Sequence, residues 1–150
     1  MHERNATNNS ALLIRTYRAT DNNAVVELWR RCGLVVPWND PQRDIDRKMG
    51  WNPQWFLVAE LAGQVVATVM AGYDGHRGWI NYLAVDPAHR RRGIARRLMA
   101  RAEDELRKAD CPKINLLVRT GNQDVVAFYE TIGFSKDDVM SLGKRLVSDQ

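Results

Sequence analysis

Ala84-Val85-Asp86-Pro87-Ala88-His89-Arg90-Arg91-Arg92-Gly93-Ile94-Ala95 is the stretch around which the rest of the chain is organised. It starts as the end of an apolar strand, Trp79 to Val85. Asp86-Pro87 breaks that strand, because Pro lacks a backbone donor and biases its predecessor to an extended conformation. A helix follows Gly93, with Ile94, Leu98, Ala102 and Leu106 recurring every four residues and Ala95 and Met99 beside them. Its first turn carries the wrong charge. A helix N-terminus is a partial positive pole and prefers Asp or Glu, yet Arg92, Arg96 and Arg97 gather there, with Arg90 and Arg91 just upstream. Such conflicts mark functional sites. Free backbone N–H groups, Arg side chains and a Gly that permits close approach together make a site for an anion such as phosphate.

Working outward, Trp79 to Val85 is a strand whose late part is apolar on both faces, which predicts a central place in a sheet. The helix over 93–109 leads to another strand by content, Lys113 to Val118. A strand-helix-strand unit makes those two strands parallel neighbours. Ligands in such sheets lie beyond the C-terminal ends of the strands, where Arg90 to Ala95 sits. Upstream, Phe56 to Leu61 and Gln64 to Tyr73 form a hairpin around Ala62-Gly63, and Asp74 to Gly78 is a turn by composition. Leu12 to Arg18 alternates as a first strand. Thr20-Asp21 caps a helix bearing Ala24, Val25, Leu28 and Trp29. Asp40-Pro41 opens a short charged helix with Ile45 and Met49 as its apolar pair. Downstream, Asn122 to Ile132 is a helix with Val125, Phe128, Tyr129 and Ile132 on one face, and Gly133 ends it. Phe134 to Asp138 and Val139 to Leu146 read as two last strands. Residues 1–10 are polar and Asn-rich, expected as a disordered leader, and residues 11–150 as a single domain. The class is α/β: a mixed sheet with helices on both faces.

The chain has 150 residues, 45% hydrophobic and 27% charged, with net charge +4. Those are ordinary globular values, and the positive excess fits an anionic ligand. Cys32 and Cys111 lie far apart, and the three histidines share no spacing, so no metal site is expected and the thiols read as reduced. No apolar run approaches the roughly 18 residues of a membrane span. The location expected is cytoplasmic, with no membrane partner. A nucleic-acid module is disfavoured, because the basic residues occupy one helix start and Glu103, Asp104 and Glu105 follow.

Two motifs carry a resemblance. Arg90-Arg91-Arg92-Gly93-Ile94-Ala95 resembles the Arg/Gln-x-x-Gly-x-Gly/Ala signature of the GCN5-related N-acetyltransferases (GNAT). Asn122-x-x-Val125-x-x-Phe128-Tyr129-Glu130-x-x-Gly133-Phe134 is similar to that family's Asn-x-x-Ala-x-x-Leu-Tyr-Glu-x-x-Gly-Phe element. The likeness runs from about Leu12 to Leu146. The stretches 37–41, 72–78 and 141–146 resemble the small bacterial YpeA-type members. The resemblance implies the acyl-CoA N-acyltransferase fold, a mostly antiparallel sheet with one splayed parallel strand pair. It implies acetyl-CoA as co-substrate, with no metal, and a small-molecule or peptide amine as acceptor; a homodimer is left open. The pyrophosphate would meet Arg90, Arg91, Arg92, Gly93, Ile94, Ala95 and Arg96. The pantetheine arm would add like a strand to Leu83, Ala84 and Val85, with Asn122 bonding it and Phe128 packing on it.

On the same resemblance Tyr129 would be the catalytic residue, a general acid at the departing sulfur, and an amide near Val85 would receive the oxyanion. The general base is open between Asp74, His76, Glu60 and a water relay. Ribosomal-protein N-terminal acetyltransferases carry a Glu in the strand before the second motif. Here Leu117 stands at that place, which counts against peptide N-terminal acetylation by their mechanism. The acceptor pocket is expected from residues 35–55 and the 74–78 turn, where Trp38, Trp51, Trp55, Asp40 and Asp74 suit a small cationic amine. The alternatives are an acyl-CoA sensor with weak turnover and a ribosomal-protein-type peptide acetyltransferase.

Overall fold

The hairpin at Ala62-Gly63 is the geometric seed of the sheet. Both residues take left-handed conformations (φ 52° and 80°), the pair of values that a two-residue turn needs to match strand twist. In the computed structural model, which describes residues 12–149, they join β2 (Phe56–Leu61) to β3 (Gln64–Tyr73). The leader expected over 1–10 lies outside the described residues. β1 (Leu12–Thr16) pairs antiparallel with β2, and β4 (Gly78–Val85) antiparallel with β3. β5 (Ile114–Asn115) pairs with β4 in parallel, giving the order β1-β2-β3-β4-β5.

The central strands are apolar on both faces because both faces are covered. On β2, Phe56 and Val58 point to one side and Leu57 and Ala59 to the other, all nearly inaccessible. One side packs on α1 (Asn22–Arg31) and α2 (Pro41–Met49) through Val25, Leu28, Trp29 and Ile45. The other packs on α3 (Ile94–Lys108) and α4 (Gln123–Thr131) through Leu98, Met99, Leu106 and Tyr129. Each fully buried large side chain contributes about 1.5–3 kcal/mol. α2 starts as its sequence dictates: Asp40 Oδ1 accepts from the Gln42 and Arg43 amides, with Pro41 in the first turn. Ile45 is buried, whereas Met49, its expected apolar partner, is exposed.

The expected strands after α3 also fail or shrink. The strand expected over 113–118 is reduced to Ile114–Asn115, because β5 pairs only with Gly78 and Trp79 and then parts from β4. The last two strands, 134–138 and 139–146, do not form among the described residues. A two-residue β5 offers them no edge to extend. The segment is held by side chains instead: Asp137 accepts from Lys113 and Asn115, both at 2.8 Å, and Asp149 pairs with Arg47 at 2.9 Å and Arg43 at 3.5 Å. Val139, Met140, Leu142, Leu146 and Val147 are left exposed.

Candidate functional site

The parting of β4 from β5 opens a cleft of about 820 Å³, walled by Leu83, Leu116, Val118, Asn122 and Tyr129 on one side of its length and by α2 on the other. β4 is bent open by a bulge. Thr68 stands opposite Ala84 but Met70 opposite Asn81, so β4 holds an extra residue, and Tyr82 sits there at φ 52°. A non-Gly residue in that region costs about 1–3 kcal/mol and persists only where its surroundings over-determine it. They do. The Tyr82 ring stacks on Trp29 with centroids 3.8 Å apart, its hydroxyl donates to Asp44 at 2.5 Å, and its carbonyl accepts from Thr68 Oγ1 at 2.9 Å. Thr68 in turn accepts from the Trp29 indole at 2.9 Å. Burial, with Asp44 beside it, pushes the Tyr82 phenol upward in pKa.

At the far end of β4, the Asp86 amide donates back to Val66 of β3 at 2.8 Å. Strand alternation therefore turns the Val85 N–H the other way, toward the space β5 has vacated. Asp86 locks the following turn, accepting from the Ala88 amide and from Arg31; these contacts hold its carboxyl below the usual range. Arg91 and Gly93 are left-handed (φ 63° and 76°). α3 begins at Gly93 with no side-chain cap, so the amides of Ile94, Ala95 and Arg96 lack intrahelical partners. Arg90, Arg91, Arg92, Arg96 and Arg97 are exposed and make no ion pair with any described residue; Arg90 Nε reaches only the Val85 carbonyl, at 3.2 Å. Uncapped amides and unpaired guanidiniums thus coincide just beyond the C-terminal end of β4, a donor set that fits a pyrophosphate.

Tyr129 is 8% exposed, wedged edge-on between Phe128 and Phe134. Burial pushes its phenol up to about 12. Its hydroxyl makes no hydrogen bond with a described residue, and the residue lines both this cleft and a groove of about 1270 Å³ beyond β5. Asn122 is exposed at the start of α4, its side chain uncommitted to a cap. The structure therefore gathers Leu83, Asn122 and Tyr129 on one cleft; Arg90 to Arg96 do not line it but follow the C-terminal end of β4. Ala84 offers only backbone, because its side chain is buried in the α1–α2 core. Phe128 lines neither cavity; it packs on Tyr129 in the layer beneath.

The expected acceptor residues divide. Trp51 lines the cleft and is 62% exposed, but Trp55 is buried in the core. Trp38 lies outside the cleft, with the Arg119 guanidinium over its ring at 5.5 Å. Asp40 is spent as the α2 cap. Asp74 lines the cleft but is bound by its own turn, accepting from the His76 and Arg77 amides at 2.8 Å and the Trp79 indole at 3.2 Å. Those donors hold its carboxyl below the usual range and make it a poor base. His76 is exposed on the turn, outside the cleft, and Glu60 lies on β2 against Arg15 at 3.5 Å. Sequence reading missed Asp44 and Lys48, which α2 places over the cleft. The available signal was their i, i+4 spacing, which puts both on one face of the helix. Among the described residues no cluster of His, Cys, Asp or Glu could hold a metal, and no helix is long and apolar enough to cross a membrane.

Comparison with known proteins agrees with this frame. A family model described as the acetyltransferase (GNAT) family matches residues 22–134. Acetyltransferase SG1711 of Sodalis glossinidius is 51% identical over 138 residues, covering 91% of this chain and 97% of that protein. The crystal structure of Ard1 from Thermoplasma volcanium superposes with a TM-score of 0.71 at 26% identity, covering 83% of each chain. The structure of AAC(6')-Iy in complex with the bisubstrate analogue CoA-S-monomethyl-acetylneamine shares the fold, with a TM-score of 0.73 at 17% identity over 89% of this chain and 98% of that one. A family match over most of the chain and half-identity to a relative of nearly equal length leave one assignment: the chain belongs to the GNAT acetyltransferase family.

Proposed function

We propose that the protein is an acetyl-CoA-dependent N-acetyltransferase that passes an acetyl group to a primary amine by direct attack in a ternary complex. The observation that supports this reading is the uncapped helix start at Arg90–Arg96, whose arginines make no ion pair with a described residue and which follows directly on β4, the strand whose Leu83 shares a cleft with Tyr129. The same reading takes residues 11–150 as a single catalytic domain working in the cytoplasm.

The chain's own groups divide the work. The thioester brings an activated acetyl group. The amides of Ile94, Ala95 and Arg96, with Arg90, Arg91 and Arg92 around them, hold the pyrophosphate. The β5-facing N–H groups of β4 near Leu83 and Val85 take up the ladder bonds that β5 no longer supplies and steady the charge that develops on the carbonyl oxygen. The Asn122 side chain bonds the arm. Tyr129 stands at the sulfur. Its phenol, raised to about 12 by burial, remains protonated well above neutrality and lies far above a thiol's about 8.5. Its role is therefore to donate a hydrogen bond to the departing sulfur rather than to surrender its proton outright. With Asp74 engaged in its turn and Glu60 and His76 outside the cleft, a water relay is the favoured route for the amine proton.

The segment 139–147, which joins no strand among the described residues, supports a homodimer in which this segment of one copy covers the β5 edge of the other. Its sequence favours strands, and its apolar side chains are uncovered; a sedimentation mass of a single chain would contradict that part. The experiment for the main reading is thiol release from acetyl-CoA across amines, amino acids and peptides. Release with at least one acceptor is expected. Binding of acetyl-CoA without release from any acceptor would favour the acyl-CoA sensor, and release only with peptide N-termini the ribosomal-protein-type enzyme.

A further inference from the structure

Lys48 is a half-buried ammonium in the wall of the cleft. It comes from the last turn of α2 and reaches across to β3, where Nζ donates to the Ala71 carbonyl. It makes no ion pair with any described residue, and the lowering of its pKa to about 8 comes from burial alone, with no carboxylate to oppose it. Long cationic side chains normally keep the charged head in water, and a buried charge without a counterion is costly. The other charges of the cleft are committed. Arg47 is held by Asp149 at 2.9 Å and by Asp44 at 3.3 Å. Arg119 lies over Trp38. Asp74 is bound within its turn, while Asp44 accepts from Tyr82 and Arg47.

The surroundings of Lys48 are also unfinished. Asn52 sits left-handed (φ 49°), and its Oδ1 is buried with no hydrogen-bond partner among the described residues. Both groups converge on one spot over β3. A Cβ placed on Gly72 would lie 3.8 Å from Lys48 Nζ and 4.0 Å from Asn52 Oδ1. Gly72 has no side chain to fill that space, and Gly72 lines the cleft. Lys48 over the gap at Gly72 describes a place for an anionic ligand group, and Asn52 Oδ1, which can only accept, calls for an N–H of the same ligand beside it.

We infer that the acceptor is an amine that also bears a carboxylate, held by Lys48 over Gly72, with its amine end toward Asp44 and Tyr82. A single ammonium matches a monoanion, and the carboxylates of Asp44 and Asp74 in the same cleft disfavour a dianion such as a phosphate monoester. Those carboxylates suit the cationic end of a zwitterion, so the small cationic amine expected from sequence becomes one carrying both charges. Lys48 is here a specificity-determining residue, and the inference rests on the acetyltransferase reading above.

The test compares matched acceptors in the thiol-release assay: histidine with histamine, lysine with cadaverine, phenylalanine with phenethylamine. Glycyl dipeptides separate a peptide carboxylate from that of a free amino acid. In at least one pair the carboxylate-bearing member should have a kcat/KM about ten- to a hundred-fold higher, the worth of a hydrogen bond to a charged group. Lys48→Met should abolish that preference through KM, leaving kcat with the decarboxylated amine within a few-fold. Lys48→Arg should keep part of it. Thermal unfolding of Lys48→Met should be unchanged or higher, because an unpaired charge is removed, so loss of folding cannot mimic the result. Equal or better use of the decarboxylated amines, a preference that survives Lys48→Met, or an acetyl group found on Lys48 itself would overturn the inference. If acetyl-CoA raises the melting temperature but no carboxylate-bearing amine is acetylated, this inference fails while donor binding stands; if acetyl-CoA does not bind, the reading beneath it fails.

Discussion

β4 and the segment 116–119 that leaves β5 wall the same cleft, but they are held in opposite ways. β4 is locked on its outer side: Trp29, Thr68, Tyr82 and Asp44 form a continuous chain of stacking and hydrogen bonds that fixes a left-handed residue in mid-strand. β5 has two paired residues, and the chain beyond α4 adds no strand to it. Its side-chain restraints are at the surface, Lys113 and Asn115 to Asp137, while the chain end is tied to α2 by Arg43 and Arg47 on Asp149. The difference teaches where precision is needed. The strand proposed to offer its backbone to acetyl-CoA is fixed to the core, whereas the opposite wall is held loosely at the surface, the usual character of elements that open and close.

That contrast can be broken in several ways. The largest effect is expected at the residue reached from both walls. Tyr129→Phe should lower kcat about ten- to a hundred-fold, the worth of a hydrogen bond to the charge developing on the departing sulfur, while acetyl-CoA affinity stays within a few-fold; unchanged turnover in steady-state assays would remove the hydroxyl from the chemistry. Because burial raises this phenol to about 12, the wild-type rate should not fall between pH 9 and 10 through its ionisation, where an ordinary tyrosine would begin to titrate, at about 10.

Thr68→Val tests the locked wall. It leaves the Trp29 indole and the Tyr82 carbonyl unpaired in a buried place and should cost about 2 kcal/mol in denaturant unfolding. A loss below about 0.5 kcal/mol, within the range of neutral surface changes, would mean that the bulge does not depend on this chain. The loose wall should answer to pH more gently. Arg47 and the Asp40 amide hold the Asp149 carboxyl well below its ordinary value. A depressed carboxylate contributes stability above its unfolded pKa and loses it as pH falls through the folded one. Protection of 134–149 against hydrogen exchange, corrected for the intrinsic rate at each pH, should therefore fall as pH drops below about 4, the ordinary range of Asp, while β3 and β4 stay protected. Equal loss of protection in both regions would erase the distinction.

Much of this frame was legible in the sequence because its signals are local. Asp40-Pro41 caps a helix by its own chemistry, Ala62-Gly63 makes a turn, and the run from Ile94 to Leu106 repeats at helical spacing. The misplaced arginines before Gly93 were legible as a conflict with the helix dipole. What stayed hidden depends on register and on distant chain. Phe134 to Leu146 has strand-like content, but strands need an edge, and β5 is too short to give one. The Tyr82 bulge arises from pairing with Thr68, fourteen residues away, and its support comes from Trp29 on another layer. Asp44 and Lys48 read as an ordinary solvated helix face; only the packing of α2 over β3 and β4 turns them to the cleft. Trp55 and Trp51 differ by four residues, yet one is core and the other wall, a choice made by the short turn at Pro53–Trp55 rather than by composition.

The central claim is that the uncapped start of α3 and its arginines receive the pyrophosphate of acetyl-CoA. Titration calorimetry on the wild type and on the Arg90→Glu/Arg92→Glu double variant tests it most directly. The account predicts saturable binding to the wild type, weakened ten-fold or more by reversing two charges (about 1.4 kcal/mol per factor of ten), with melting temperature unaltered in the absence of ligand. Absence of binding heat at millimolar acetyl-CoA, or equal affinity in the two proteins, would contradict it.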